Sequence, residues 1–202
     1  MKLKIGFCIL LLFAFSISNG QKHFTITYQG GGYQPSLSDK IILGGAAFDL
    51  VIQDTIAICY YTTTPHGDSI LVKWPLESSF KSKFSFINNK VVIYPKFEKG
   101  KKKKLVLVER DHEKIYWEYF DDVKMILGYK CKRAEGIMNN MKYEVWYSED
   151  LPASFGPFMW TGLPGTTLLA LNFTIGSVTG ATSIKNEALP IVEPNFAKRV
   201  KE

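Results

Sequence analysis

Residues 141–171 read MKYEVWYSEDLPASFGPFMWTGLPGTTLLAL. Met141, Tyr143, Val145 and Tyr147 fall on one side of an extended chain, and Lys142, Glu144 and Trp146 on the other, which is the two-residue period of a half-buried strand. Pro152, Gly156 and Pro157 then break the strand with fixed or unusually permissive backbone. An aromatic patch follows, and Gly162-Leu163-Pro164-Gly165 makes a second corner. From Thr166 to Ile175 the chain is again β-branched and apolar, so a strand resumes. Strand, rigid corner and strand in succession predict a β architecture.

Working outward, the same signals repeat. His23 to Tyr28 alternates, and Gly30-Gly31-Gly32 with Pro35 interrupts it as a flexible connection; these glycines lack the spacing and lysine of a phosphate loop. Ile41 to Phe48 fits either a short buried helix or a strand, because a short apolar run carries no decisive period. Phe48 to Gln53 and Thr55 to Thr63 are rich in Val, Ile, Tyr and Thr, with Gln53-Asp54 as a hairpin turn between them and Pro65-His66-Gly67-Asp68 closing the second run. Ile70–Trp74, Lys83–Ile87, Val91–Tyr94 and Leu105–Val108 are further strand candidates. Ile115–Phe120 and Met125–Cys131 read as two strands across an Asp121-Asp122 corner, and Asn139-Asn140 as a hairpin tip. No 3.6-residue apolar period is sustained after residue 20, so at most one short helix is expected. The fold class is mainly β, an antiparallel barrel or strongly curved sheet.

The N-terminus is of a different kind. Lys2 and Lys4 precede an uncharged run from Ile5 to Phe15, followed by small residues with Ser18 and Gly20 at the −3 and −1 places of a cleavage site. That is a signal peptide over 1–20, with Gln21 as the mature start. Cys8 lies inside the apolar run, so acylation after cleavage is not expected and the protein is not a lipoprotein. No later stretch is long and apolar enough for a transmembrane helix. Processing leaves 23 basic and 19 acidic side chains, a net +4. Such a mild excess does not call for nucleic acid. Much of it sits at Lys99 and Lys101–Lys104, within a run from Glu98 that reads as a solvated hairpin tip. Residues 21–189 make one β-rich domain and 190–202 a loosely attached tail. Cys59 and Cys131 are candidates for a disulfide in an oxidising compartment, the alternative being two buried thiols.

Chemistry-bearing residues are scattered. His23, His66 and His112 are far apart in sequence, and none stands at metal-ligand spacing. The five residues Glu109-Arg110-Asp111-His112-Glu113 fan out in any regular conformation and cannot all enter one pocket. Asp121-Asp122 and Glu149-Asp150 are sequence neighbours, which does not place two carboxylates across a cleft. Ser154 and Ser177 lack a nucleophile-elbow context. No cofactor and no catalytic residue are expected. The aromatic patch carries more information: Phe155, Phe158, Met159 and Trp160 beside the Gly-Pro corners form either a core plug or the lining of an apolar groove.

From Trp117 to Leu171 the sequence resembles the GLPGLI family of small exported proteins of Gram-negative bacteria. The resemblance rests on Gly128-Tyr129-Lys130-Cys131, Val145-Trp146-Tyr147 with Glu149-Asp150-Leu151-Pro152, Gly156-Pro157, and Gly162-Leu163-Pro164-Gly165. It departs at Thr166-Thr167, where the family name has Leu-Ile. It implies a sheet like the half-barrel of periplasmic lipoprotein carriers, and no enzymatic role for any residue. The expectation is a non-enzymatic protein of the periplasm or cell envelope that binds an apolar ligand or an envelope-protein partner through Phe155, Phe158, Met159 and Trp160. The alternative expectations are a structural or assembly partner acting through a sheet edge by strand addition, and a hydrolase whose site has no familiar signature.

Overall fold

The computed structural model describes residues 23–34, 40–63, 84–88, 91–97, 105–111, 114–151, 155–157, 160–187 and 190–202. The signal-peptide reading, the Pro65–Asp68 turn, the Ile70–Trp74 strand, the Glu98–Lys104 tip, His66 and His112 all lie outside the described residues. The described chain is all β, with no helix. Its strands are β1 (His23–Gln34), β2 (Lys40–Gln53), β3 (Ile56–Tyr61), β4 (Phe84–Asn88), β5 (Val91–Phe97), β6 (Leu105–Asp111), β7 (Trp117–Ile126), β8 (Tyr129–Met138), β9 (Met141–Ser148), β10 (Thr166–Asn172), β11 (Ser177–Lys185) and β12 (Arg199–Lys201). They form one open, curved sheet in the order β12-β6-β5-β4-β3-β2-β1-β11-β10-β9-β8-β7. The described pairings are antiparallel except β12 with β6. The expected curved antiparallel sheet is therefore present. The run Ile41–Phe48 is strand, part of the fourteen-residue β2.

Alternation along the strands sorts the core onto two faces. On the inner face, Ile26 and Tyr28 of β1, Leu50 and Ile52 of β2, Cys59 of β3, Cys131 of β8, Trp146 of β9 and Leu171 of β10 belong to one apolar cluster. The outer face carries two clusters. One joins Val51, Ile58, Phe86, Ile93 and Leu107, from β2 to β6. The other joins Ala134, Val145, Tyr147, Trp160, Leu163 and Ala170 around β8 to β10. The curl of the sheet lets the Tyr28 hydroxyl on β1 reach past β11 and donate to the Thr167 carbonyl on β10, at 2.6 Å.

Three expectations change at the level of elements. Gly30-Gly31-Gly32 is no loose connection but lies inside β1, where the register against β2 shifts between Gln29 and Gly31. The strands cross closely there: a Cβ on Gly31 would stand 1.9 Å from the Ile42 carbonyl oxygen, so only glycine fits. Asp121-Asp122 is not a corner. Phe120 faces Arg133 and Val123 faces Lys132, so the two aspartates are extra residues in a bulge within one continuous β7. The corner comes later, at Leu127 and Gly128, with φ of +50° and +84°. The β2–β3 turn is Asp54-Thr55, one residue beyond the expected pair. Asn139-Asn140 is the β8–β9 tip as expected, and both residues have positive φ, the two-residue turn whose twist matches the flanking strands.

The other corrections concern the cysteines and the tail. Cys59 and Cys131 are not bridged; both are buried thiols. They belong to the same inner-face cluster from strands far apart in the sheet order, so they serve it as small hydrophobes. Nor is the tail 190–202 loosely attached. Ile191, Phe196 and Ala197 pack on the outer-face cluster of Val51 and Leu107. β12 pairs with β6, and Arg199 reaches Glu109 and Glu193. An apolar face that β2–β6 cannot cover themselves gives the tail its place.

Candidate functional site

The connection from β9 to β10 runs over residues 149–165 and clamps the sheet from both sides. Leu151 and Phe155 join the inner-face cluster, whereas Trp160 and Leu163 join the outer one. The Thr167 amide donates to the Phe155 carbonyl at 3.0 Å, and Trp117 Nε1 donates to the Thr161 carbonyl at 3.1 Å. The Trp160 ring meets Tyr143 edge-on at 6.1 Å. Gly162 takes φ +83° to reverse the chain. Gly165 lies so close to β9 that a Cβ there would stand 2.0 Å from the Ser148 carbonyl oxygen. The corner is thus an element of packing: its glycines let backbone approach backbone, and its large side chains fill both cores.

Of the expected binding set, Phe155 and Trp160 are 3% and 9% exposed and belong to the two cores. Phe158 and Met159 lie outside the described residues. Leu163 of the motif is buried and Pro164 is exposed. No group of His, Cys, Asp and Glu that could hold a metal ion occurs among the described residues.

A different surface stands out. β7 ends the sheet order, paired with β8 on one side and with no described strand on the other. Trp117 belongs to the outer-face cluster, and Tyr119 meets the Tyr147 ring at 6.1 Å on that same face. Val123 and Met125 lie opposite Lys132 and Lys130, in phase with outer-face Ala134, so the outer side of β7 is apolar on both flanks of the bulge. Yet Tyr119 is 53% exposed, Val123 53% and Met125 63%. The stripe starts at Trp117, which packs on the outer-face core, and runs out into solvent beside Lys132 and Lys130.

The inner side of β7 and its neighbours is polar. Arg133 Nε donates to Asp122 at 2.9 Å and Nη1 to Glu135 at 2.6 Å, with Glu144 at 3.6 Å. Lys142 pairs with Glu135 at 2.7 Å. The Arg133 guanidinium also lies 3.8 Å from the Phe120 ring centre, and Lys124 Nζ 4.2 Å from that of Trp146. Glu135 and Glu144 face each other directly across β8 and β9, an unfavourable juxtaposition that Arg133 and Lys142 offset. Lys142 first, and then Arg133, hold the Glu135 carboxyl below the usual carboxylate range. Both carboxylates stand as ion-pair partners, and Glu135 in particular is poorly suited to donate a proton.

Asp121-Asp122 has the local chemistry of a corner, and that hides the stripe in the sequence. The signal that finds it is phase: apolar residues at 117 and 119 resume at 123 and 125, in step across a two-residue insertion.

With this geometry in hand, the comparisons are decisive for the family. The family model described as "N-glycanase peptide, N-terminal domain" matches residues 34–188, well over half of the chain. The chain belongs to that family. Two solved structures are similar to it. "Structure of PNGF-II in P21 space group" has a TM-score of 0.63 at 21% identity, covering 90% of this chain and 32% of that one. "Structure of PNGF-II in C2 space group" has a TM-score of 0.61 at 21% identity, covering 90% and 31%. Both likenesses are of fold, and this chain spans about a third of the length of those proteins. No curated protein matches the sequence.

The match corrects the GLPGLI resemblance. The N-glycanase N-terminal domain model accounts for a stretch about three times longer than the one the resemblance covered, and includes it. The physical reason is plain at Gly162 and Gly165. The two glycines of Gly-Leu-Pro-Gly answer local demands of the corner, one positive φ and one close approach, so a match to so short a motif says little about family.

Proposed function

We propose that this member of the N-glycanase N-terminal domain family is a non-catalytic, exported module that holds another polypeptide against the β7 side of its sheet, in a setting tied to N-glycan processing. The observation that carries the reading is the stripe of Tyr119, Val123 and Met125, apolar, solvent-exposed and on the same side of β7 as Trp117, which packs on the outer-face core. An apolar patch on a sheet edge is a site of association, because covering it removes apolar surface from water and satisfies unpaired backbone groups together. The matching family model describes an N-terminal domain, which fits an accessory part better than a catalytic one. The ion pairing of Glu135 and Glu144 supports the same reading. Export rests on the pattern of residues 1–20. The earlier apolar-groove expectation is less favoured, since Phe155 and Trp160 are spent on the cores.

The test uses fluorescently labelled mature chain, titrated with unlabelled chain and separately with an N-glycosylated polypeptide. The expected result is a saturable anisotropy rise with one of them, lost in Val123→Lys/Met125→Lys, and no glycan released. Release of glycan by the purified chain, or no association with either, overturns the reading.

A further inference from the structure

The stripe on β7 has a sequence property that selects its occupant. Taken about Asp121, the strand reads as a near-palindrome with three complementary pairs, Tyr119 against Val123, Glu118 against Lys124 and Trp117 against Met125, and one mismatch, Phe120 against Asp122. In antiparallel pairing the partners' residue numbers sum to a constant. If two copies of β7 pair across a twofold axis at residue 121, each Glu118 therefore faces the other copy's Lys124, twice per interface. Each Tyr119 likewise faces a Val123, and each Trp117 a Met125. Glu118 and Lys124 share the inner side of the strand, and the apolar pairs share the outer side, so in these three pairs charge meets charge and apolar group meets apolar group.

We infer that the partner of the β7 edge is a second copy of this chain, added edge to edge so that the two twelve-stranded sheets become continuous. The inference rests on the proposed role of this edge and names its occupant. A twofold interface uses the same patch on both copies, which is the self-complementarity that β7 has. The opposite end of the described sheet is unsuited to the purpose. β12 is three residues long and carries Arg199 and Lys201, the short, charged form that blocks strand addition.

The bulge decides how tight the dimer is. It lies on the axis, so each flank of β7 meets the opposite flank of the partner. The Asp122 carboxylate is drawn back over its own sheet by Arg133. The two Asp121 side chains, exposed in the single chain, approach each other at the centre. That repulsion makes the dimer reversible and weak, and Asp121→Asn tightens it.

Sedimentation of the mature chain from micromolar to millimolar concentration is the test, with circular dichroism showing that each variant is folded. The expected result is a reversible monomer–dimer equilibrium, weakened at least tenfold by Met125→Lys. Glu118→Lys alone and Lys124→Glu alone each weaken it by placing like charges opposite one another. The double variant E118K/K124E restores it, because the pair is then reversed as a whole. A chain that stays monomeric throughout overturns the inference, as does a dimer indifferent to Met125→Lys or a double variant no better than the singles. A monomer that still binds the N-glycosylated polypeptide through β7 would overturn the second copy while leaving the edge-binding role in place.

Discussion

At the scale of single residues, the strongest constraints are where backbone meets backbone. Gly165→Ala would put a methyl group 2.0 Å from the Ser148 carbonyl oxygen and 2.8 Å from the Glu149 amide nitrogen, neither the end of a flexible side chain. The expected cost is about 3 kcal/mol, at the upper end of overpacking penalties, read from urea denaturation. Tyr28→Phe acts by removing a donor. The Thr167 carbonyl loses its 2.6 Å partner in a buried site, with a cost of about 1–3 kcal/mol. Burial pushes the Cys131 thiol up to about 11, so little thiolate exists at neutral pH. Alkylation at pH 8 is expected to leave Cys59 and Cys131 unmodified in the folded protein and to modify both in urea, while a reductant leaves the melting temperature unchanged. A melting temperature that falls with reductant would show a bridge.

At the scale of elements, the β8–β9 hairpin joins turn chemistry to charge. Asn139 and Asn140 have φ of +50° and +58°. Asn140→Gly is expected to be neutral or stabilising by up to about 1 kcal/mol, and Asn140→Val to cost about 1–2 kcal/mol, because a β-branched residue resists left-handed backbone. Both values come from thermal or urea melts. On the same hairpin, the Glu135 carboxyl is held below its ordinary range by Lys142 and Arg133. A carboxyl with a lower pKa folded than unfolded adds stability above the unfolded value, near pH 4.3, and that contribution disappears as pH falls through the folded value. Melting temperature is therefore expected to be insensitive to Glu135 ionisation from pH 7 to 5 and to drop below about pH 4, with a shallower drop in Glu135→Gln.

At the scale of the whole molecule, the two ends of the sheet are treated differently. The β6 end is finished by the chain's own tail, with β12 adding backbone pairing while Ile191 and Phe196 cover the outer-face cluster. Deleting residues 190–202 is expected to expose that cluster and cost about 3 kcal/mol, roughly the burial of two partly covered apolar side chains. The same deletion is expected to leave β7-mediated association intact. The β7 end has no such cover among the described residues and keeps its apolar stripe in solvent. One end is closed within the chain, and the other suits a partner.

By itself, the sequence determined the class of fold, because two-residue alternation at Met141–Tyr147 and the Asn139-Asn140 tip are local properties that need no partner to be read. It also placed the rigid corner at Gly162–Gly165, since fixed and permissive backbone positions are written in single residues. Only the tertiary structure decided what those elements face. Whether Phe155 and Trp160 plug cores or line a groove depends on which strands curl over them. Whether Cys59 and Cys131 bridge depends on where distant strands bring their sulfurs, and whether the tail binds depends on an apolar face left bare by β2–β6. The β7 stripe belongs to both accounts. Its alternation was present in the sequence, but its exposure follows from β7 being the last strand of the sheet, a fact of long-range order that no local period contains.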